Sequence, residues 1–225
     1  MKKLEILYED NHLVAINKNP GEIVQSDITG DRTLCEDVKD YLKSKYNKKG
    51  NVFLGITHRL DRPTSGVVLF ARTSKALTRI NQMFRDKKIM KSYLAIVDNI
   101  PESSEGELKH YLKKNSSQNK SYAYEEPVKN SKLAHLSYKM IKGTNRYYLL
   151  EIKLFTGRHH QIRSQLAKIG CHIKGDLKYG FPRPNNDKSI HLHACSLVFQ
   201  HPVSQEKIKI IAPTPNDNLW NALKI

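Results

Sequence analysis

Two short stretches of this 225-residue chain concentrate side chains able to do chemistry. The first, His58-Arg59-Leu60-Asp61-Arg62-Pro63-Thr64-Ser65-Gly66, sets one carboxylate among bases just ahead of the apolar run GVVLFA. A cationic setting favours the ionised carboxylate, the form a nucleophile or general base must use. The same residue types also build local structure: an Asp before Arg-Pro can close an Asx-turn, and Thr64 or Ser65 can hold backbone N–H groups. The second stretch, LFTGRHHQIRSQL at 154–166, places Arg158, His159, His160 and Arg163 at the opening of a predicted helix. Guanidinium and backbone N–H groups there suit a phosphate. His159 and His160 could ligate a metal, but no carboxylate or cysteine stands at HExxH-like spacing. Nucleophilic Ser or Cys chemistry, a P-loop and a dinucleotide fingerprint all lack their motifs. A two-carboxylate glycosidase would need a second motif-embedded acid. Chemistry run by a single acid remains.

The elements that must position these residues follow from periodicity. HLVAIN at 12–17 reads as a buried strand, followed by a turn at Asn19-Pro20-Gly21. Thr33 and Glu36 have capping-box spacing ahead of Leu34, Val38, Tyr41 and Leu42, which predicts a helix of about three turns. SGVVLFAR at 65–72 predicts a strand, and Thr73 caps a helix with Leu77, Ile80 and Phe84 on one face. KSYLAIV at 91–97 and two runs, Leu136 to Met140 and Tyr148 to Leu154, predict further strands. KKNSSQNKS at 113–121 suits a mobile solvated loop or an exposed turn. A helix is predicted over 158–168, with Ile162 and Leu166 on its buried face and Gly170 as its stop. Strands over 189–199 and 206–212 and a short docking helix over 216–223 close the chain. With no repeat and no linker, the expectation is a single α+β domain with a mixed, largely antiparallel sheet and flanking helices.

Charge narrows the partners. Thirty-eight Lys and Arg against 22 Asp and Glu leave a formal net charge of +16. A surplus of this size favours a polyanion, nucleic acid first and an anionic membrane surface second. Six bases against Asp86 fall in residues 73–93, and nine against Glu151 and Asp176 in residues 142–185. His191 and His193 alternate on one strand face without further ligands and read as structural or RNA-contacting. No stretch approaches the ~18 apolar residues of a membrane helix, and acids interrupt the N-terminal segment, so a cytoplasmic protein is expected. The three cysteines form neither a disulfide framework nor a zinc knuckle.

The motifs resemble those of one family, the RluA-type RNA pseudouridine synthases, from about residue 8 to residue 215. HRLDRPTSG is similar to that family's signature HRLDxxTSG, and DNHLVAINKNPG resembles its opening strand and turn. KSYLAIV is similar to KxYxAxV, TGRHHQIRSQL with GDLKYG to the TGRxHQIRxQL…GDxxYG motif, and IHLHACSLVFQHP to the closing strand. The resemblance implies a pseudouridine synthase fold around an RNA-binding cleft, in a short form without an N-terminal S4 module. It implies an isomerase that detaches a uracil of ribosomal or transfer RNA, turns it and rejoins it through C5, with no cofactor or metal. By that carry-over Asp61 is the essential carboxylate, Arg163 pairs with it, Tyr93 packs against the target base and Arg59 helps hold the nucleotide flipped out. His58, Thr64, Arg158, His160, Gln161 and Ile162 fall at fixed motif positions and Arg62 within the signature, and all are expected to bind substrate. The expected state is a monomer. A non-catalytic RNA-binding or ribosome assembly role is the alternative that the charge alone would also explain.

Overall fold

The strand-forming runs outnumber the helical ones, and the computed structural model, which describes residues 3–27 and 29–223, follows that balance. In chain order the elements are β1 (Ile6–Glu9), β2 (Leu13–Lys18), α1 (Leu34–Lys45), β3 (Gly55–Ile56), β4 (Ser65–Ala71), α2 (Ser74–Arg85) and β5 (Met90–Val97). There follow β6 (Glu105–Asn115), β7 (Lys120–Tyr124), β8 (Lys132–Gly143), β9 (Tyr148–Leu154), α3 (Gln161–Lys168), a 3-10 turn (Leu177–Tyr179), β10 (Leu192–Gln200), β11 (Lys207–Ile211) and α4 (Asn218–Ala222). The architecture is α+β, and the strand pairings β1/β2, β2/β4, β6/β8 and β8/β9 are all antiparallel.

By their internal contacts, two units can be described separately: Met1–Ile89 with Ala194–Thr214, and Met90–His193 with Pro215–Ile225. In the first unit the strands run β1-β2-β4-β10, with β3 on β4 and β11 on β10. All seven residues of β4 are buried, as an uninterrupted apolar run requires. Gly66 opens that strand with φ +113°, and a Cβ there would lie 2.3 Å from the Ala194 carbonyl oxygen, so conformation and space both call for glycine. The α1 capping box forms as its spacing predicts: Glu36 N–H donates to Thr33 Oγ1 at 3.1 Å, and Thr33 N–H donates to Glu36 Oε2 at 2.8 Å. Thr73 caps α2 by accepting from Ala76 N–H at 3.1 Å.

The second unit is an antiparallel sheet in the order β5-β9-β8-β6-β7. Leu136 on β8 faces Leu108 on β6, and Tyr93 on β5 faces Ile152 on β9, so the alternating residues meet as cross-strand pairs. Asp217 caps α4, whose Trp220 packs with Leu223 against Ile96 and Leu149. His191 and His193 are both buried against the Trp220 ring, at centroid distances of 5.4 and 6.0 Å, so their role is structural. Burial holds the His191 pKa below its ordinary value.

Several boundaries differ from the sequence expectations. The polar stretch 113–121 is a hairpin, with β6 and β7 paired from Tyr111–Tyr124 to Asn115–Lys120 around a four-residue turn. Lysines there extend the strands, because an edge hairpin needs no apolar outer face. The α3 helix starts at Gln161 rather than Arg158, since His160 has a left-handed backbone (φ 51°) and ends the preceding turn. Its residues 161–166 are buried all round, beyond the single face of Ile162 and Leu166, so Arg163 too lies in the interior. Strand β10 begins at Leu192, three residues later than expected.

Candidate active site

Asp61 sits in a turn built from backbone. Thr64 N–H donates to the Asp61 carbonyl at 3.0 Å, closing four residues, with Leu60 buried before the turn and Thr64 and Ser65 buried after it. The carbonyl of the next residue, Arg62, accepts from Gly21 N–H at 2.8 Å and from the buried Lys18 ammonium at 3.1 Å. Lys18 also donates to the Asn19 carbonyl at 2.9 Å, so the Asn17–Gly21 segment forms a cradle under the Asp61 loop. Gly21 has φ +86°, which that tight turn reserves for glycine. Asp61 itself is half-buried.

The neighbouring side chains divide their tasks. His58 Nε2 accepts from Leu69 N–H at 3.0 Å and its ring lies 5.2 Å from Phe84, so it ties the loop to β4 and α2. Accepting through Nε2 requires the neutral imidazole with its proton on Nδ1. Arg62 turns toward acids, with Nη2 at 2.5 Å from Asp31 and 3.0 Å from Thr29 Oγ1. Arg59 is exposed. The buried Thr64 hydroxyl meets no hydrogen-bond partner among the described residues, an uncommon state for such a group.

In the second unit, Arg163 is held by side chains. Its Nε and Nη2 donate to the two carboxylate oxygens of Asp176 at 2.7 and 2.8 Å, a bidentate pair that is almost wholly buried. Its guanidinium lies 5.0 Å from the Tyr179 ring. The Tyr179 hydroxyl in turn accepts from Ser121 N–H at 2.8 Å and lies 3.0 Å from His160 Nδ1. That contact, with His159 stacked at 3.8 Å, holds His160 in its left-handed conformation. Gln161 Oε1 accepts from Thr156 Oγ1 at 2.7 Å and from Arg158 N–H at 3.0 Å, and Ile162 is buried. Arg158 is exposed and gives Nε to the Leu133 carbonyl at 3.1 Å. Tyr93 lies on β5 and is 9% exposed.

Four residues to which the motifs gave no task carry much of this geometry: Lys18, Lys91, Asp176 and Tyr179. Asp176 and Tyr179 lie within GDLKYG and Lys18 within NKNPG, so their positions were visible, but their partners lie 13 to 58 residues away in sequence. Lys91 opens KSYLAIV, and its ammonium lies 3.4 Å from the Thr156 carbonyl oxygen. Among the described residues no group of three or more His, Cys, Asp or Glu could hold a metal ion, and no helix is long and apolar enough to cross a membrane.

Comparison with known proteins bears on what such a site does. A family model described as RNA pseudouridylate synthase matches residues 12–168. The chain is 34% identical over 239 aligned positions to tRNA pseudouridine synthase C of Vibrio vulnificus, covering 98% of this chain and 94% of that one. It is 33% identical over 216 positions to ribosomal large subunit pseudouridine synthase C of Buchnera aphidicola, which spans 92% of this chain but only 66% of that longer protein. Human RNA pseudouridylate synthase domain containing 4 shares the fold, with a TM-score of 0.78 over 94% of this chain and 89% of that chain at 24% identity. A single motif-embedded acid, the intact motifs around it and matches along most of the length agree: the chain belongs to the RNA pseudouridylate synthase family, isomerases that convert uridine in RNA to pseudouridine.

Proposed function

We propose that this chain converts specific uridines of ribosomal or transfer RNA to pseudouridine, with Asp61 as the essential carboxylate. The observation that carries the reading is a half-buried acid on a backbone-locked turn inside HRLDRPTSG, in a chain of this family. The N1–C1′ bond breaks, the uracil turns, and a C5–C1′ bond forms. The C5 hydrogen leaves as a proton and N1 gains one, so no atom is lost overall and no cofactor or metal is needed. Tyr93 offers a flat ring to the extruded base, Arg163 serves as the cation that keeps the acid ionised, and Arg59 holds the flipped nucleotide. Thr64, Arg62, Arg158 and Ile162 contribute to the nucleotide's surroundings. His58, His160 and Gln161 act chiefly through the backbone that they fix. Residues 1–225 work as one catalytic domain, a monomer in the cytoplasm, with the basic segments 73–93 and 142–185 meeting phosphates. The named relatives modify transfer RNA in one case and the large ribosomal subunit in the other, and both substrate classes fit a chain of this charge.

The test is to map pseudouridines across ribosomal and transfer RNA from cells lacking the protein, complemented with the wild type or Asp61→Asn. A site lost on deletion and restored by the wild type alone is the expected result. No lost site, together with RNA binding but no release of C5 tritium by the purified protein, would establish a binding role instead.

A further inference from the structure

The turn Phe155-Thr156-Gly157-Arg158 holds two cations side by side without a counter-charge. The Lys91 ammonium lies 3.4 Å from the Thr156 carbonyl oxygen, and no carboxylate pairs with it among the described residues. Burial first, and the Arg158 charge second, push its pKa down to about 8. Arg158 uses one N–H on the Leu133 carbonyl and leaves the rest of its exposed fork to solvent. Between them Gly157 leaves open space: apart from chain neighbours, Lys91 Nζ, at 3.4 Å, is the sole heavy atom within 4 Å of where its Cβ would stand. The turn is tied by hydrogen bonds at both ends. Phe155 and Thr156 N–H groups both donate to the His135 carbonyl, and Gln161 Oε1 ties Thr156 to Arg158. Phe155, 39% exposed, lies with its ring 4.5 Å from His135 and adds a flat apolar face at the start of the turn.

A preorganised pair of unbalanced cations bordering a bare glycine has the chemistry of an oxyanion site. We propose that Lys91, Gly157 and Arg158 bind one backbone phosphodiester of the RNA substrate, with an oxygen lodged over Gly157 and hydrogen-bonded by both side chains. The site deepens the RNA-modifying reading above and rests on it. Burial that weakens the free ammonium's hold on its proton is offset once a phosphate replaces the lost water, because the bound anion favours the charged form.

The probe is a mixture of transfer RNA and large-subunit ribosomal RNA fragments, and the readout is Kd between about 0.05 and 0.2 M salt. Lys91→Gln and Arg158→Gln are each expected to weaken binding about tenfold and to flatten the log–log salt slope by roughly 0.7 to 0.9. The double variant loses well under the product of the two, since both serve one phosphate. Gly157→Ala keeps both charges and a non-strained backbone, yet weakens binding by filling the space. Wild-type affinity falls from pH 7 to 9 as Lys91 loses its proton, and Lys91→Arg abolishes that fall. RNA protects Lys91 from an amine-acylating reagent, whereas millimolar inorganic phosphate does not. Arg158→Gln, at an exposed turn, serves as the folding control. If C5 tritium is released while Lys91→Gln and Gly157→Ala match the wild type in Kd and slope, the site falls and the isomerase stands. If the binding signatures appear with no tritium release, the site stands and the isomerase falls. Protection of Lys91 by phosphate but not RNA overturns the site.

Discussion

The loop that carries Asp61 and the turn and helix that carry Arg163 solve the same problem by opposite means. Around Asp61 the restraints are backbone groups: the Thr64 N–H to Asp61 carbonyl bond, the Gly21 N–H on the Arg62 carbonyl, and Gly66 pressed against Ala194. The Asp61 and Arg62 side chains can be exchanged without removing those bonds, to which the Lys18 ammonium and the His58 ring add two side-chain ties. Around Arg163 the restraints are side chains, Asp176, Tyr179, His160 and Gln161, each engaged with another. Chemistry and stability are therefore separable in the first region and entangled in the second.

The largest expected effect tests the separable side. Asp61→Asn should abolish turnover, with RNA binding and the folded state retained, because the backbone bonds that close the turn do not involve its carboxylate. Measurable multiple turnover by this variant defeats the assignment of the acid. A drop of several kcal/mol would instead show that the Asp61 carboxylate helps hold its own loop.

Next come the two halves of the buried ion pair. Arg163→Ala and Asp176→Asn should each destabilise the chain by about 3–5 kcal/mol, because either change strands a charged or strongly polar partner in the interior. Activity should fall in both, and for Asp176→Asn it should fall even below the unfolding midpoint, since Arg163 loses the fork that orients it. Full activity of Asp176→Asn in the folded state would break the contrast, by showing that Arg163 needs no side-chain support.

Legibility in the sequence divides along the same line. The Asp61 loop was readable because its restraints are local: a turn, a glycine and a buried strand leave marks on consecutive residues. The capping box of α1 and the cap of α2 were readable for the same reason. Periodicity failed where burial was not one-sided. All residues from Gln161 to Leu166 are buried, so the pattern at Ile162 and Leu166 marked one buried face on a turn and a half that is buried all round. The β6/β7 hairpin was hidden by polar residues on an edge strand, and β1 by its uniformly half-buried residues. Lys18, Lys91, Asp176 and Tyr179 took on meaning only once residues distant in sequence were beside them.

Tyr179→Phe makes the entanglement quantitative on a smaller scale. The hydroxyl accepts from Ser121 N–H and lies 3.0 Å from His160 Nδ1, while also donating to the Ser121 carbonyl at 3.2 Å. Its removal leaves buried polar groups unsatisfied, at about 1–3 kcal/mol. It also frees His160 from one of the contacts that hold its positive φ. Calorimetric or denaturant unfolding should register the loss, with a fall in turnover smaller than that of Asp176→Asn. An unchanged stability would mean that the network around Arg163 tolerates loss of a member and resembles the Asp61 loop after all.

The smallest effect is expected at Arg62, and it is the sharpest control because the chemical change is the same Arg→Ala as at position 163. Arg62 and Asp31 form an ion pair at 2.5 Å, but their side chains are 41% and 55% exposed. Water and salt screen such a pair, and exposed pairs typically contribute about 0–1 kcal/mol. What fixes the loop is the Arg62 carbonyl, which alanine supplies equally well to Gly21 and Lys18. Arg62→Ala should therefore cost less than about 1 kcal/mol, and the difference from wild type should shrink further at about 1 M salt, where the screening length is roughly 3 Å. Any weakening of RNA binding should be modest, because in the free protein Asp31 already competes with phosphate for this guanidinium. A cost above about 2 kcal/mol that persists at high salt would show that the Arg62 side chain itself restrains the Asp61 loop, and the distinction between the two regions would be lost.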